Sequence, residues 1–400
     1  MPFDDAVSEA QSLAGFLELC EPGAFTGRIA ELTRRAQSGA LQGRAAQQRH
    51  ALEFALARLA DPAGQARATP LERRIGSLAR DLAALAESLP ASVRQRLRDR
   101  VAAALDGEAT LVPVFHLVRT AAMHRARGFE VRFDGLLDQT PHDLTISRGD
   151  VEAEVACETA SAEEGRPLHK GDWYALVDRI NPELQTWLAA HPGRYLLKMT
   201  LPDGVASPDQ LAGLHRRISA LLKDSRRQDS SADAVLKLDP LILAGAQAAG
   251  AGLPARLRAQ FGPEAHLAVT ADAGGKGVFV MAARAGQADE VSAALCRRMA
   301  AAVPGRLSGR KPGILAMFLD DVDRTEWRTL RETLELEGAA RRFLTEAVAK
   351  PVVAVSCASR MELYGMAAPD AAPEGELRFR NPLHPAAKSA ALAPAITSSV

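Results

Sequence analysis

The chain has 400 residues, 47% of them apolar and only 4% aromatic, with 49 Lys plus Arg against 49 Asp plus Glu. That length accommodates two or three domains with a sizeable core. The balanced charge removes any global attraction to nucleic acid or anionic membrane, so a polyanion partner requires a local patch. Cys20, Cys157, Cys296 and Cys357 are scattered without CxxC or ligand spacing, which points to reduced thiols rather than a disulfide framework or a zinc site. The beginning MPFDDAVSEA lacks an apolar core, and no apolar run of about 18 residues occurs, so a cytoplasmic protein with no membrane partner is expected.

Residues 1–108 carry helical periodicity and almost no strand signal. GRIAELTRRA, RHALEFALARLAD, LERRIGSLARDLAALAESL and SVRQRLRDRVAAAL place apolar residues three or four apart, and Pro22-Gly23, Pro62 and Pro90 separate them. An antiparallel helical region is expected, which packs on the next domain or forms a homo-oligomer. A further helix, Leu111 to Arg127, stops at Gly128. Three strands follow in close succession, about 129–135, 142–148 and 151–157, as in an antiparallel meander. Then come the helix LHKGDWYALVDRINPELQTWLAA, the strand RYLLKMTLP and the helix SPDQLAGLHRRISALLKDS. Residues 109–228 thus read as an α/β core, a mixed central sheet flanked by helices.

Beyond a polar linker at Ser225–Asp233, residues 229–366 add an α/β region, either a separate domain or an extension of the sheet. It holds the strands AVLKLDPLIL, AHLAVTAD and GVFVMAAR, with Ala273–Lys276 as a hairpin turn. The helix DEVSAALCRRMAAAV, the strand GILAMFLDDV, one long helix TEWRTLRETLELEGAARRFLTEAVA and the strand PVVAVSCAS complete a βαβ-like unit. Residues 367–400, rich in Ala, Pro and Ser, read as a mostly disordered tail.

The stretch Phe129–Lys170 carries the chemistry. Its third strand places Val151, Ala153, Val155 and Cys157 on one face and Glu152, Glu154, Ala156 and Glu158 on the other. Acids two residues apart repel one another unless a solvated edge, basic neighbours or a metal ion offsets them. One reading is the solvent face of an edge strand, paired with Arg132. Likewise Asp143 beside Pro141 can fix a turn. A second signal is the run GLHRRISALLKDSRRQ, where Arg216, Lys223 and Arg227 form a basic stripe, either a solvated helix face or a track for a phosphate backbone.

The order helix, strand, strand with Pro-x-Asp, strand with spaced acids, then helix resembles the PD-(D/E)XK nuclease superfamily, the restriction-endonuclease-like fold, over roughly residues 110–225. In that family an Asp lies early in the second strand and a Glu-x-Lys on the third, often with an acid on the first helix. Pro141-His142-Asp143 resembles the first part with one residue inserted, and VACETASAEEGRPLHK resembles the third strand and its exit. Ala156 and Glu158 then fall at the Glu-x-Lys positions, and the first helix has no acid between Leu111 and Arg127, where His116 is the nearest polar side chain.

The resemblance implies a divergent metal-dependent nuclease acting on DNA or RNA. In it Asp143 and Glu158 bind Mg²⁺ or Mn²⁺, with Glu154 as third ligand or base in place of Ala156. Lys170 is the catalytic cation, and Arg166 or His169 contacts phosphate. The alternative it allows is the same fold without catalysis, acting as a nucleic-acid-binding or protein-interaction module.

Overall fold

The computed structural model describes residues 13–37, 39–205, 207–241, 257, 260–262, 265–272, 277–365 and 376–399. They divide into two units. One falls within Met1–Arg34, Gln47–Glu164 and Ser292–Val400, the other within Arg35–Ala46 and Gly165–Val291. Both are α/β, each with its own mixed sheet flanked by helices.

The first unit opens with helices α1 (Ala24–Ala36), α2 (Ala40–Arg49, whose first residues belong to the second unit) and α3 (Ala51–Ala60), followed by α4 (Pro70–Ser88) and α5 (Ala91–Ala104). Helix α4 shows why the sequence folds this way. Thr69 and Glu72 form a reciprocal capping box, Pro70 occupies the first turn, and Ile75, Leu78, Ala79, Leu82, Leu85 and Ala86 form one buried stripe. Helix α6 (Val112–Ala126) is different, because its buried residues surround it: Val114, Phe115, His116, Leu117, Val118, Arg119, Thr120 and Ala121. It is the buried helix of this unit, packed against strands β1 (Glu130–Arg132), β2 (Leu144–Arg148) and β3 (Val151–Ser161).

The chain then enters the second unit with α7 (Lys170–Ala190), β4 (Arg194–Leu201), α8 (Pro208–Lys223), β5 (Gln228–Ser230), β6 (Val235–Pro240), β7 (His266–Ala271) and β8 (Val278–Ala285). Their sheet runs β5-β6-β4-β8-β7, parallel only between β4 and β8. Trp173, Leu176, Val177, Ile180, Leu184 and Leu188 of α7 interlock with Leu211, Leu214, Ile218 and Leu221 of α8 over its core. The carboxylate of Asp178 on α7 accepts the backbone N–H groups of Leu41 and Gln42, capping the start of α2, which is how residues 35–46 come to belong here.

The chain returns to the first unit through α9 (Val291–Arg306), then β9 (Gly313–Asp320), α10 (Arg324–Glu332), α11 (Glu335–Thr345), β10 (Val352–Ser359) and β11 (Leu377–Arg380). The completed sheet has the order β1-β2-β3-β9-β10-β11, antiparallel at both margins and parallel through β3, β9 and β10. Parallel neighbours need long crossovers. The long segment of the second unit, Gly165–Val291, and α9 lie between β3 and β9 in the chain, and α10 with α11 between β9 and β10. Central parallel strands are covered on both faces, and every residue of β10 is buried accordingly.

Several sequence expectations are corrected here. Strand β3 is not an edge: β2 and β9 flank it, and Arg132 turns to Asp134 and Asp138 rather than to the glutamates. Residues 109–228 are not one core, because β4 pairs in the second sheet. The polar linker at Ser225–Asp233 contains β5, held to β6 by backbone pairing that polar composition does not reveal. The single long helix breaks at Leu334, whose left-handed backbone (φ 60°) turns the chain so that Trp327 and Leu330 on one side and Leu336 and Phe343 on the other are all buried.

The tail also differs. Residues 376–399 are folded: β11 pairs with β10, Phe379, Leu392, Ala395 and Ile396 are buried, and buried Glu376 accepts from Arg119 and Arg127 at 3.5 and 2.8 Å. Its low local hydrophobicity is offset by a ready-made strand edge and a cationic pair. The expected disorder at 367–375 and the hairpin turn at 273–276 lie outside the described residues.

His116 and His124 on α6 are 2% exposed. Burial pushes their pKa values down to about 4 and about 3, against a weaker upward pull on His116 from its 2.8 Å contact with the Ala316 carbonyl. Both rings stay neutral in the folded chain while they charge in the unfolded one, so stability is intact above pH 6.5 and declines as pH falls toward 4. Urea denaturation should show a loss of roughly 2 kcal/mol per ring between pH 6.5 and 5. The decline should be shallower in His124→Gln after correction for that variant's own cost at pH 8.

Candidate functional site

The site forms where β2 begins beside the middle of β3. Leu144 faces Val155, the last pair of that ladder, and the Asp143 N–H donates to the Val155 carbonyl at 3.0 Å. Past Val155 this edge of β3 has no strand partner, so the Cys157 N–H would be left over. The Asp143 Oδ2 accepts it at 2.9 Å. The short helical turn before β2 packs tightly behind: a Cβ on Gly135 would lie 2.9 Å from the His142 carbonyl and 3.1 Å from the Asp143 Cα, so glycine is required there.

Asp143, 5% exposed, is then taken up by two arginines. Arg100 on α5 reaches Oδ1 at 3.3 Å, and Arg306, the last residue of α9, donates to Oδ2. The Nε of Arg306 lies 2.8 Å from Glu158 Oε1, and the other oxygen of Glu158 is 3.1 Å from Arg298. Arg298 and Arg306 are eight residues apart on α9, hence on one helical face. The result is a row of alternating charge, Arg100, Asp143, Arg306, Glu158, Arg298, with one guanidinium joining the two carboxylates.

Glu154 is elsewhere. Its side chain, 3% exposed, accepts the backbone N–H and hydroxyl of Ser308, and His142 Nδ1 lies 3.9 Å away. It fastens the α9–β9 connection to β3 and shares no partner with Asp143 or Glu158. Glu152 is exposed and pairs with Lys311. Of the three expected metal ligands, the structure brings Asp143 and Glu158 together and separates Glu154. The donor set does not fit a divalent ion, which needs several oxygens converging on one point, because a guanidinium already holds the two oxygen pairs that meet. Among the described residues no group of three His, Cys, Asp or Glu side chains is placed to hold a metal ion.

The remaining expected residues belong to the second unit. Lys170 begins α7, Arg166 is 5% exposed with its Nε 3.8 Å from Asp289, and His169 lies 3.9 Å from Asp172. Arg216, Lys223 and Arg227 are exposed, and it is Arg217, not Arg216, that anchors α8 to Asp229 and Ser231. The helix that follows β3 in sequence is therefore not the one that returns to its sheet; α9 is, more than a hundred residues later. Sequence reading missed Arg298, Arg306 and Ser308 for that reason, and Arg100 because it precedes Asp143 by 43 residues. The one available signal was a pair of arginines two turns apart on a helix that a short connection joins to β9, apolar but for its last residue.

An open pocket of about 590 Å³ adjoins this row. Arg100, Asp143, Arg298 and Arg306 line one part, Leu97, Val112 and Leu117 another, and Ser161, Asp320 and Asp321 a third. Cys157 reaches it too, but burial and then the charge of Asp143 raise its pKa well above the ordinary thiol value, so it remains a thiol. All four cysteines are unpaired. No helix among the described residues is long and apolar enough to cross a membrane.

Comparison with protein-family models, with curated proteins and with solved structures returned no match to this chain. The arrangement of the site therefore carries the functional reading alone.

Arg306→Ala would leave Asp143 buried beside one partly exposed cation. Removing one partner of a buried ion pair typically costs about 3–5 kcal/mol; because Arg100 stays, roughly 2–3 kcal/mol is expected in urea denaturation. Arg306→Lys should recover less than half, since an ammonium cannot address both carboxylates at once. Arg298→Ala, whose side chain is 45% exposed, should cost under about 1 kcal/mol.

Proposed function

We propose that the first unit is a restriction-endonuclease-like scaffold whose acid pair is closed by an arginine, and that it serves as a nucleic-acid-binding module without phosphodiester hydrolysis. The observation that carries this reading is Arg306 between Asp143 and Glu158. Hydrolysis of a phosphodiester in the expected manner needs those oxygens for a cation that activates water. A guanidinium has no open coordination position and cannot lower the pKa of a bound water in that way. The order of elements supports the scaffold: helix α6, antiparallel β1, β2 and β3, a return helix α9 and a parallel strand β9, with Asp143 at the start of the second strand and Glu158 on the third.

Binding, rather than mere structural repair, is supported by what the arginines retain. Arg100 and Arg298 have side chains 40% and 45% exposed, and each donates one hydrogen bond to the acid pair. A guanidinium has five N–H donors in a planar fork suited to phosphate oxygens. Helix α5, which supplies Arg100, also carries Arg94, Arg96 and Arg98 against the single acid Asp99. Of these, Arg94 and Arg96 donate to main-chain carbonyls and only Arg98 is exposed, so the cationic surface beside the site is local to Arg100 and Arg298.

A second reading, a nuclease using Mg²⁺ or Mn²⁺, is favoured by one observation: two carboxylates from adjacent strands share a single cation. It requires Arg306 to withdraw.

Fluorescence anisotropy with single-stranded DNA, duplex DNA and RNA tests the first reading. Binding should weaken steeply with salt, and Arg100→Ala with Arg298→Ala should lower affinity by about tenfold and flatten the salt slope by roughly one to two units. Absence of binding to all three would reject it. Cleavage of the same substrates with Mg²⁺ or Mn²⁺, abolished in Asp143→Asn and Glu158→Gln, would establish the second reading instead.

A further inference from the structure

Strand β3 outruns its neighbour. Its ladder with β2 closes at Leu144 and Val155, while its ladder with β9 continues to Ser161 opposite Asp320. Along a strand, successive residues turn their N–H and C=O groups to opposite sides. The Glu154 N–H donates to the Pro312 carbonyl on the β9 side, whereas the Val155 carbonyl and the Cys157 N–H meet Asp143 on the β2 side. The same alternation turns the Thr159 N–H and C=O outward, past the point where β2 begins. The Cys157 carbonyl before them is 3.4 Å from Arg306, and the Ser161 N–H after them is 3.4 Å from Glu164. Among the described residues nothing pairs with Thr159 on that side, and Cys157, Thr159 and Ser161 line the pocket of about 590 Å³. An unpaired strand edge inside a pocket is a template for one more strand.

The two ends of the pocket differ in charge. At the Cys157 end, Arg100, Arg306 and Arg298 stand against Asp143 and Glu158, three guanidiniums for two carboxylates. Arg100 is 3.3 Å from the same carboxylate that accepts the Cys157 N–H, and its side chain is 40% exposed. That end calls for one more negative charge. The Ser161 end is paired within itself: Arg49 lies 3.7 Å from Asp321, the Ser161 hydroxyl donates to Asp321, and Arg360 holds Asp320 at 2.6 and 3.0 Å. A fitting ligand therefore carries its charge at one end and a backbone donor and acceptor about one strand residue away.

We propose that this pocket receives the free C-terminus of an extended peptide, added antiparallel to β3 and in line with β2. The penultimate residue of the peptide faces Thr159 and exchanges both backbone hydrogen bonds with it. The antiparallel direction carries the last residue about 3.3 Å further toward Cys157, which brings its carboxylate to Arg100. A residue directly opposite Thr159 projects its side chain to the same face of the sheet, where Ala103, Ala104, Val112 and Pro113 line the pocket, so a small apolar side chain suits the penultimate position. A nucleic-acid strand has no N–H and C=O at strand spacing, so the open edge favours a peptide. The assignment goes beyond the nucleic-acid reading and does not depend on it.

An array of hexapeptides that varies the last two residues, each made with a free C-terminal carboxylate and as the carboxamide, tests this with the labelled full chain. Carboxylate forms with Ala or Val in the penultimate position should be retained, and their carboxamides lost. For the best binder, fluorescence anisotropy should show about tenfold weaker binding when the peptide is amidated at its end, and again when it is N-methylated at the penultimate residue, each change removing about one hydrogen bond. Arg100→Gln should weaken the free acid by about the same factor and bring acid and carboxamide nearly level, a convergence that mere loss of structure would not produce. No carboxylate peptide retained, equal binding of acid and carboxamide to the unaltered chain, or indifference to N-methylation would each overturn the assignment. Oligonucleotide binding is measured separately. Its presence beside any of those results leaves the nucleic-acid reading standing, and its absence beside carboxylate-dependent capture leaves the peptide site standing alone.

Discussion

A guanidinium shared by two carboxylates from neighbouring strands is the contact around which the first unit is built. Asp143 and Glu158 stand on β2 and β3 with their oxygens turned to a common point, and like charges so placed repel one another unless a cation joins them. Arg306 supplies it from the end of α9, where a positive side chain also complements the helix dipole. The same contact ties α9 to the sheet, and Glu154 reinforces it by gripping Ser308 in the turn that follows. The electrostatics of the acids and the seating of the return helix are thus one problem with one solution.

That solution has a functional consequence. A cation built into the chain differs from a bound ion: it cannot exchange, and its planar donors point in fixed directions. It neutralises the acids without offering a coordination site for water. On the proposed reading, the outer arginines, Arg100 and Arg298, present their remaining donors to an anion from outside.

The topology explains why this was hard to read along the chain. The second unit occupies the crossover between β3 and β9, so the helix that packs with the acids follows them by more than a hundred residues. Reading outward from β3 leads to α7 and to Lys170, which sit at the start of a different hydrophobic core. Lys170, expected as the catalytic cation, belongs to the second unit, because chain neighbours need not share a sheet. The terminal strand β11 was overlooked for a related reason: a four-residue segment gains its order from the edge of β10 and from Glu376 meeting Arg119 and Arg127, and neither partner is local.

The amino-acid sequence by itself determined the elements. Three- and four-residue apolar spacing with Thr69 and Pro70 defined α4, strict alternation defined β3, and Gly128 marked where α6 gives way to a strand, because these signals act within one or two turns of chain. The family resemblance grouped Asp143, Glu154 and Glu158 as ligands of one ion, and of these the structure brings Asp143 and Glu158 to a common cation. Only the tertiary structure decided that β3 is interior, that β4 belongs to another sheet, that Glu154 serves Ser308, and that the cation between the acids is Arg306. Those outcomes depend on pairing and charge compensation between segments far apart in the chain, for which local periodicity holds no information.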